Sequence, residues 1–512
     1  MKKIEKNTLM LLASFTLLSA CAGRTVSSNP SASSSGLSSP LASYLIKFVN
    51  EDGTLLQSSS YQSGSLPVYE GETPTKAMTS STYYVFSGWT PQVVVARADV
   101  TYTATFTAHD IAAESLKKLS FVYDSASTSY QIEPGEDAAD LPAVIVPSTH
   151  DDGTNGSHPV SALLDNAFWN WDKLEQVSLP TSLTKIGASA FANDTLIKEL
   201  TIPEGVTEID LYAFQACLSL TKIFLPSTLS QTGIALFYGD AALTTINVAS
   251  GNSKFTSDTR SLIKNGTTLV AYASGSGSEY IVPDGVSAID VLAFNDSEIL
   301  ETLTFPASLT SMDAVTACPA LKKFVLKEGN SVFTTDSRAM INQANHAVCA
   351  YANASGSDYT IPDGVTKIGM LAFSEATSLV SITAPSSLTE IELDAFEGCS
   401  SLKDTSFPDT LKSLGSGTFI GCVALTSIVI PSALTKIQSG CFIDCRKLNN
   451  VTLPAGITTI EQNAFNSAES LGTLHYAGTM SEWAKISKGS SWHDATPLKS
   501  VICSDGTTTA LD

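Results

Sequence analysis

The chain has 512 residues, enough for more than one domain, and 43% of them are hydrophobic, so a large core can be buried. Only 15% are charged, below the roughly 25% of an average soluble domain. The 50 acidic residues outnumber the 29 basic ones, and the resulting net charge of −21 repels phosphate backbones. Nucleic acid is therefore not an expected partner, and attachment to an anionic membrane would need a dedicated anchor.

The first 20 residues have the composition of an export signal. Lysines near the start precede an apolar stretch from Leu9 to Leu18, which is too short to span a bilayer as a mature helix. Residues 18–21 read Leu-Ser-Ala-Cys and resemble the lipobox of bacterial lipoproteins. The resemblance implies that Cys21 is acylated, for example with palmitate, and that residues 1–20 are a signal peptide. The protein would then be lipid-anchored and surface-exposed in the cell envelope, on the outer membrane if the cell has two membranes. The alternative is an ordinary secretory peptide that contains this cysteine by chance.

Two segments precede the repeats described below. Residues 21–42 are rich in serine and predict a flexible tether. Residues 43–108 alternate apolar and polar side chains as strands do. The order of their apolar and aromatic runs, which include Phe86 and Trp89, resembles the internalin-type B-repeat (Listeria–Bacteroides repeat), and this implies a small β-grasp-like domain. Trp89 is interpreted as the core aromatic of this sheet, and the alternative is a ligand-stacking residue.

Between residues 144 and 477 the sequence repeats at an interval of 23 residues. In the unit 196–220, apolar residues alternate around Thr201, which predicts a short strand that ends at Pro203. The phenylalanine of an Ala-Phe-like pair marks the interval in two in-phase sets: Phe168, Phe191, Phe214 and Phe237, then Phe373, Phe396, Phe419, Phe442 and Phe465. No single unit can bury its apolar side chains alone, so stacked units are predicted to share one continuous core.

The repeat, Leu-x-x-Ile-x-Ile-Pro followed by Val-x-x-Ile-Gly-x-x-Ala-Phe-x-x-Cys-x-x-Leu, resembles the BspA-type leucine-rich repeat family. The resemblance implies a mainly β protein, a leucine-rich repeat solenoid of 23-residue turns on the bacterial cell surface. It also implies partners, namely host extracellular matrix or cell-surface proteins, or other bacterial cells. Residues 109–143 and 478–512 are predicted to cap the array, because the open ends of a solenoid expose strand edges and apolar faces.

Two related insertions interrupt the array, near residues 250–280 and 329–359. Both contain a phenylalanine, an arginine and an Ala-Tyr pair, and residues 264–267 have the composition of a hairpin turn. The insertions are predicted to be β-hairpins that project from the solenoid. Two interpretations stay open, a decorative insertion common to the family and a flap that contacts a ligand.

The sequence contains no arrangement of residues that is typical of a catalytic centre. The six histidines are scattered, and no nucleophile elbow, phosphate-binding loop or paired-histidine zinc motif appears. We therefore expect no enzyme activity, no cofactor and no metal, and residues 150–156 are interpreted as a turn rather than a cation site. One repeat position is predicted to carry buried thiols, with a disulfide between neighbouring turns as the alternative, and its cysteines are Cys217, Cys399, Cys422 and Cys445.

Solvent-facing strand positions should form columns along one face of the solenoid. Phe224 and Val429 are apolar where the pattern predicts exposure, and Trp169 and Trp171 flank the first Ala-Phe corner. Exposed aromatic and apolar side chains anchor protein interfaces, so these four are the predicted ligand contacts. The alternative is that they are isolated surface residues of an ordinary kind. The predicted function is protein–protein binding by a lipid-anchored surface protein, specifically adhesion, and the alternative is a glycan-binding or structural cell-envelope lipoprotein.

Overall fold

The computed structural model describes residues 42–135, 141–509 and 511. The predicted signal peptide, the tether up to residue 41 and Cys21 lie outside the described residues. The chain divides into two compact units. In the first unit, the structure describes residues 42–75 and Phe86–Phe106. The second unit contains Lys76–Val85 and the described residues from Thr107 onward.

The first unit contains most of a four-stranded mixed sheet with the order β2-β1-β4-β3. Its strands are β1 (Ser43–Val49), β2 (Leu55–Gln62), β3 (Thr82–Thr90) and β4 (Val100–Asp110). Strand β1 pairs antiparallel with β2 and parallel with β4, which agrees with the predicted β-grasp-like sheet. Ile46, Phe48 and Tyr102 are buried in its core, and the Trp89 ring packs edge-on against Phe48 with 4.7 Å between the ring centroids. Trp89 is therefore part of the aromatic packing of this unit.

The second unit is a solenoid in which successive turns place a short strand at the same two positions. We call the first position of each turn the front strand. The front strands are β7 (Ala143–Ile145), β10 (Gln176–Ser178), β12 (Glu199–Thr201), β14 (Lys222–Leu225), β16 (Thr245–Val248), β20 (Glu279–Ile281), β22 (Thr302–Phe305), β24 (Lys323–Leu326), β28 (Asp358–Thr360), β30 (Ser381–Thr383), β32 (Asp404–Ser406), β34 (Ser427–Val429), β36 (Asn450–Leu453), β38 (Thr473–Tyr476) and β40 (Ser500–Cys503). Neighbouring front strands pair in parallel within sheets of two to four such strands, so the predicted leucine-rich repeat solenoid is confirmed.

The second position of each turn carries the side strand. The side strands are β9 (Ser157–Leu163), β11 (Lys185–Ile186), β13 (Glu208–Ile209), β15 (Gln231–Thr232), β21 (Ala288–Ile289), β23 (Ser311–Met312), β29 (Lys367–Ile368), β31 (Glu390–Ile391), β33 (Ser413–Leu414), β35 (Lys436–Ile437), β37 (Thr459–Ile460) and β39 (Ser487–Lys488). Most have two residues because only one inward and one outward side chain fit between the neighbouring bends. They also pair in parallel, as β11 does with β13.

The unit 196–220 shows how the repeat sequence builds one turn. Leu200 and Ile202 are buried on either side of the exposed Thr201, and Ile209 is fully buried in the side strand. The Phe214 ring is fully buried at the following bend and stacks on the equivalent rings of the adjacent turns, 5.8 and 5.7 Å away between centroids. The inward positions predicted for this unit are confirmed, and its buried residues belong to a cluster shared with the adjacent turns. Among the described residues the solenoid core divides at the two insertions into three such clusters, rather than forming the single core predicted.

The two insertions form hairpins, but they do not project. Their strands are β17 (Phe255–Ser257), β18 (Ser261–Lys264), β19 (Thr268–Tyr272), β25 (Phe333–Thr335), β26 (Ala339–Asn342) and β27 (Ala347–Tyr351). Strand β19 pairs antiparallel with β18 and parallel with β21, so it supplies the side strand of its own turn. Leu262 and Leu269 are fully buried. The prediction of projecting hairpins is wrong because the apolar residues of the insertions belong to the solenoid core.

Both ends of the solenoid carry additional elements. At the first end these are helix α1 (Ile111–Lys118), β5 (Ser120–Asp124), β6 (Ser129–Glu133) and β8 (Thr149–Asp151), and at the second end α2 (Met480–Trp483) and β41 (Gly506–Thr508). The buried hydroxyl of Ser115 in α1 accepts the N–H of Ile145 in the terminal front strand at 3.0 Å. Trp483 and Trp492 are buried near the other end. Among the described residues, no helix has the length and apolar character required to cross a membrane.

Candidate binding surface

The front strands present one solvent-facing side chain per turn in register with the next. In β14, Ile223 and Leu225 are buried whereas Phe224 is exposed, because successive side chains of a strand point to opposite faces. Pairing in register places Phe224 beside Thr201 on one side and Asn247 on the other. We call the residues at this position, from β10 onward, the front column, which comprises Ser178, Thr201, Phe224, Asn247, Ile281, Thr304, Val325, Thr360, Thr383, Ser406, Val429, Thr452, His475 and Ile502.

Two of the predicted contacts lie in this column and are exposed. Phe224 is 38% exposed and Val429 is 69% exposed. Val429 pairs with Thr452 on the next strand, so its side chain stands beside a hydroxyl. Both side chains are available to a partner without a change in the fold, and their role as contacts stays a prediction.

Three further apolar members of the front column were missed in the sequence. Ile281 is 60% exposed, and Val325 and Ile502 are exposed to about the same degree as Phe224. Ile281 and Val325 stand on either side of Thr304, two strand spacings or about 9.6 Å apart. The first insertion lies between Asn247 and Ile281, and the turn between Thr304 and Val325 has 21 residues, so extending the 23-residue interval from Phe224 or from Val429 reaches neither Ile281 nor Val325. Their signal in the sequence is an apolar residue directly preceding Val282 or Leu326 in a strand-like run.

The two predicted tryptophan contacts differ from one another. Trp169 is 53% exposed at the first bend, but Trp171 is only 4% exposed. The Trp171 ring packs edge-on against Phe168 with 4.9 Å between the ring centroids, and its backbone N–H donates to Asp194. Trp171 lies three residues after the repeat phenylalanine Phe168, and Cys217 occupies the equivalent position two turns later. Side chains at this position of the repeat face inward. The prediction of Trp171 as an exposed contact is therefore wrong.

The inward position three residues after the phenylalanine also explains the cysteines. The Cys399 thiol donates to the backbone carbonyl of Phe373 at 3.1 Å, and Cys422 and Cys445 make the equivalent bond. Burial raises the pKa of these thiols, so they are neutral and unreactive in the fold. The eight cysteines in the described part of the chain are free, which agrees with the buried-thiol interpretation.

Two aspartates occupy the same buried position two turns apart, with Cys217 at that position in the turn between them. Asp194 and Asp240 are fully buried, and one carboxylate oxygen of each accepts the backbone N–H of the preceding turn at 2.8 Å. The other oxygen of each has no hydrogen-bond partner. Burial raises the pKa of Asp194 to about 9 and that of Asp240 well above its ordinary value. Burial therefore favours the neutral carboxylic acid over the carboxylate at both positions.

The remaining candidate for ion binding is the turn at residues 150–156. The Asp152 carboxylate accepts the backbone N–H groups of Thr154 and Asn155 and the side-chain amide of Asn155. These bonds hold the pKa of Asp152 well below its usual range and use its oxygens within the turn. In the part of the chain that the structure describes, no group of three or more His, Cys, Asp or Glu side chains is placed to hold a metal ion.

The chain matches the family model described as the BspA type leucine rich repeat region, in six copies over residues 158–262, 270–345 and 347–472. The matched residues are more than half of the chain and coincide with the solenoid. The protein therefore belongs to the BspA-type leucine-rich repeat family. Comparison with curated proteins gives no match.

Solved structures of bacterial leucine-rich repeat proteins resemble the chain. A leucine rich cell surface protein from Faecalibacterium prausnitzii is 23% identical, with a TM-score of 0.47, and the match covers 72% of this chain and 96% of that one. The pneumococcal vaccine antigen PcpA is 15% identical, with a TM-score of 0.39 and coverage of 74% and 96%. A leucine-rich repeat protein from Eubacterium ventriosum is 19% identical, with a TM-score of 0.39 and coverage of 74% and 93%.

Proposed function

We propose that this protein is a lipid-anchored bacterial surface protein that binds partner proteins through its front column and so mediates adhesion to host matrix, host cells or other bacteria. The observation that carries the proposal is the row of exposed apolar side chains, Phe224, Ile281, Val325, Val429 and Ile502, on paired front strands. Pairing with at least one neighbouring strand fixes the backbone beneath each of these side chains before a partner arrives. Binding therefore costs little conformational entropy in this protein.

The energetics fit a protein interface with a few anchoring contacts. Covering one exposed apolar side chain of this size stabilises a complex by about 1.5–3 kcal/mol at most. A few such side chains, surrounded by polar contacts that exclude water, supply most of the affinity of a typical interface. The Thr and Ser residues of the front column, such as Thr304 and Thr383, provide the polar contacts between the apolar ones.

The direct test compares binding by two matched triple variants of the full chain, each with Cys21→Ser so that it carries no lipid. The first carries Phe224→Ser, Ile281→Ser and Val429→Ser. The second carries Leu196→Ser, Ile299→Ser and Leu393→Ser, which are also exposed apolar residues but lie outside the front column. Saturable binding to host matrix proteins, host cells or other bacteria should weaken at least about tenfold in the first variant only. Equal loss in both variants, or no saturable binding by the parent, would refute the proposal.

Anchoring is tested separately at Cys21. A clickable palmitate analogue supplied to the producing cells should label the wild-type protein, which should partition with membranes. The Cys21→Ala variant should be unlabelled and released. Labelling that persists in the variant, or wild-type protein that is entirely soluble, would contradict the lipid anchor.

A glycan ligand is the second candidate, because hydroxyl groups recur along the front column, for example at Thr360, Thr383 and Ser406 on consecutive strands. Hydroxyl side chains can exchange hydrogen bonds with sugars on the same face. A glycan array probed with the chain distinguishes this candidate. Binding to defined glycans, unaffected by the three front-column serine substitutions, would favour it over protein binding.

A further inference from the structure

The first insertion holds an arginine in a fixed cradle at the edge of a front strand. The Nε of Arg260 donates to the Ser276 hydroxyl at 3.1 Å. Its Nη2 donates to the Tyr272 hydroxyl at 2.9 Å and to the backbone carbonyl of Glu279 in β20 at 2.7 Å. The guanidinium carbon lies 4.9 Å from the Tyr280 ring centroid. Three of the five N–H donors are thus used, and the orientation of the group is set by the protein.

The second insertion repeats this cradle. The Nε of Arg338 donates to the Ser355 hydroxyl at 3.3 Å. Its Nη2 donates to the Tyr351 hydroxyl at 2.8 Å and to the backbone carbonyl of Asp358 in β28 at 2.6 Å. The guanidinium carbon again lies 4.9 Å from a tyrosine ring centroid, that of Tyr359. The same chemistry is therefore built twice, and each copy leaves the two N–H groups of Nη1 without a partner among the described residues.

Among the described residues, the nearby acidic side chains form no ion pair with these arginines, although hydrogen bonds from Ser381 and Ser357, and to a smaller extent the charge of Arg338, lower the pKa of Asp358. The Asp258 carboxylate accepts the backbone N–H groups of Arg260 and Ser261 through one oxygen and the Tyr280 hydroxyl through the other. Within the described residues neither Arg260 nor Arg338 forms an ion pair with a carboxylate. Both side chains are half-buried rather than enclosed. In a chain with a net charge of −21, they are two oriented cations that remain available to an anion.

The two arginines lie at either end of one patch made of three front strands. Thr259, next to Arg260, bridges to Ile246 in β16, and the Ser337 carbonyl, next to Arg338, accepts the N–H of Phe324 in β24. Strands β20, β22 and β24 therefore lie between the two sites. Four strand spacings separate the arginines by about 19 Å. The exposed side chains of Ile281 and Val325 lie on this patch.

We propose that Arg260 and Arg338 bind two carboxylates of an acidic protein segment that crosses β20, β22 and β24 and covers Ile281 and Val325 with an apolar residue. This inference rests on the proposed protein-binding function and specifies its partner. An extended segment spans the separation with about six residues. A sulfated glycan is the weaker match, because a chain with a charge on every sugar is repelled by this acidic protein along its whole length. A protein segment presents carboxylates only where the arginines are.

The test uses a fluorescent peptide with two glutamates about six residues apart, a leucine midway and serines elsewhere. Its anisotropy is measured at low salt with the full chain carrying Cys21→Ser. The double variant Arg260→Gln/Arg338→Gln should weaken binding about tenfold, whereas Lys403→Gln/Lys412→Gln, which removes the same charge elsewhere, should change it less than about twofold. A peptide with glutamines in place of the glutamates should bind the parent chain no better than the glutamate peptide binds the arginine double variant.

A second variant keeps the test informative if loss of the arginines unfolds the chain, which circular dichroism reports. Ile281→Ser leaves both cradles intact and should weaken the peptide about threefold or more. Unchanged affinity in a folded arginine variant and in Ile281→Ser, or tighter and equally arginine-dependent binding of a heparin fragment, would overturn the inference. The proposed adhesion through Phe224 and Val429 would survive that result, because the peptide probe does not depend on the natural partner.

Discussion

The buried Asp194 gives a prediction about stability and pH that follows from a single position in the repeat. Cysteines at this position donate a thiol hydrogen to the carbonyl of the phenylalanine 26 residues earlier, as Cys217 does to Phe191. The buried oxygen of Asp194 that has no partner can donate a hydrogen bond, as the thiol does, only when it carries a proton. The neutral acid therefore suits this buried position, whereas the carboxylate leaves a buried charge with one oxygen that has no partner.

The sign and size of the effect follow from the pKa. Because burial raises the pKa of Asp194 to about 9, the folded protein keeps the proton at pH values at which the unfolded chain, with a pKa near the ordinary 3.8, has lost it. The free energy of unfolding therefore falls between these two values as pH rises, by about 1.4 kcal/mol per pH unit. Between pH 5 and pH 8 the loss amounts to about 4 kcal/mol, and above the folded pKa it stops.

Asp194→Cys introduces the residue that is commoner at this position of the repeat, and it removes the pH dependence of the free energy of unfolding that Asp194 causes. We expect the variant to be more stable than wild type at pH 8, and its loss of stability between pH 5 and pH 8 to be smaller by about 4 kcal/mol. Urea unfolding followed by tryptophan fluorescence at several pH values measures both. Asp172→Asn, at an exposed carboxylate, is the control and should leave the pH dependence unchanged. A wild type and an Asp194→Cys variant with parallel pH profiles would refute the reasoning.

Three further predictions follow from the packing. Phe419→Ala should reduce the free energy of unfolding by about 3–5 kcal/mol, because the fully buried Phe419 ring stacks between two other phenylalanine rings. Calorimetry that shows a loss no larger than that caused by replacing an exposed threonine with alanine would contradict this. Ser115→Ala should cost about 1–2 kcal/mol, since it leaves the N–H of Ile145 without its acceptor, and unchanged hydrogen exchange at that amide would argue against the bond. Cys422 and Cys445 should resist a thiol reagent at pH 8 until the protein is unfolded, and fewer than eight thiols in the unfolded Cys21→Ser chain would reveal a disulfide.

The regular part of the solenoid could be predicted because its period fixes which side chains meet. Leu200, Ile209 and Phe214 are buried as predicted, since each has an equivalent in the next turn that completes its surroundings. The outcome was different where the interval breaks. Whether a hairpin packs inward or projects depends on the space that the adjacent turns leave for it. The sequence pattern alone does not give the size of this space. The apolar pattern of β18 and β19 suited either arrangement.

The candidate surface was predicted only in part for a related reason. Exposure of Phe224 and Val429 follows from the alternation of a strand, but Trp171 lies at a bend, where no simple alternation applies. The exposure of Ile281 was not predicted from the sequence because a longer turn precedes this residue. The pairing of Arg260 with its tyrosines joins residues that only the hairpin brings together.

The measurement that tests the central claim most directly is site-specific photocrosslinking to the natural partner on intact host or bacterial cells. A photoreactive amino acid is placed at Phe224, Ile281 or Val429 in the front column, and at Ile299 or Leu393 outside it. We expect the same partner protein to be crosslinked from the front-column positions and not from the other two. Crosslinking that is equal at all five positions, or confined to Ile299 and Leu393, would contradict the assignment of the front column as the binding surface.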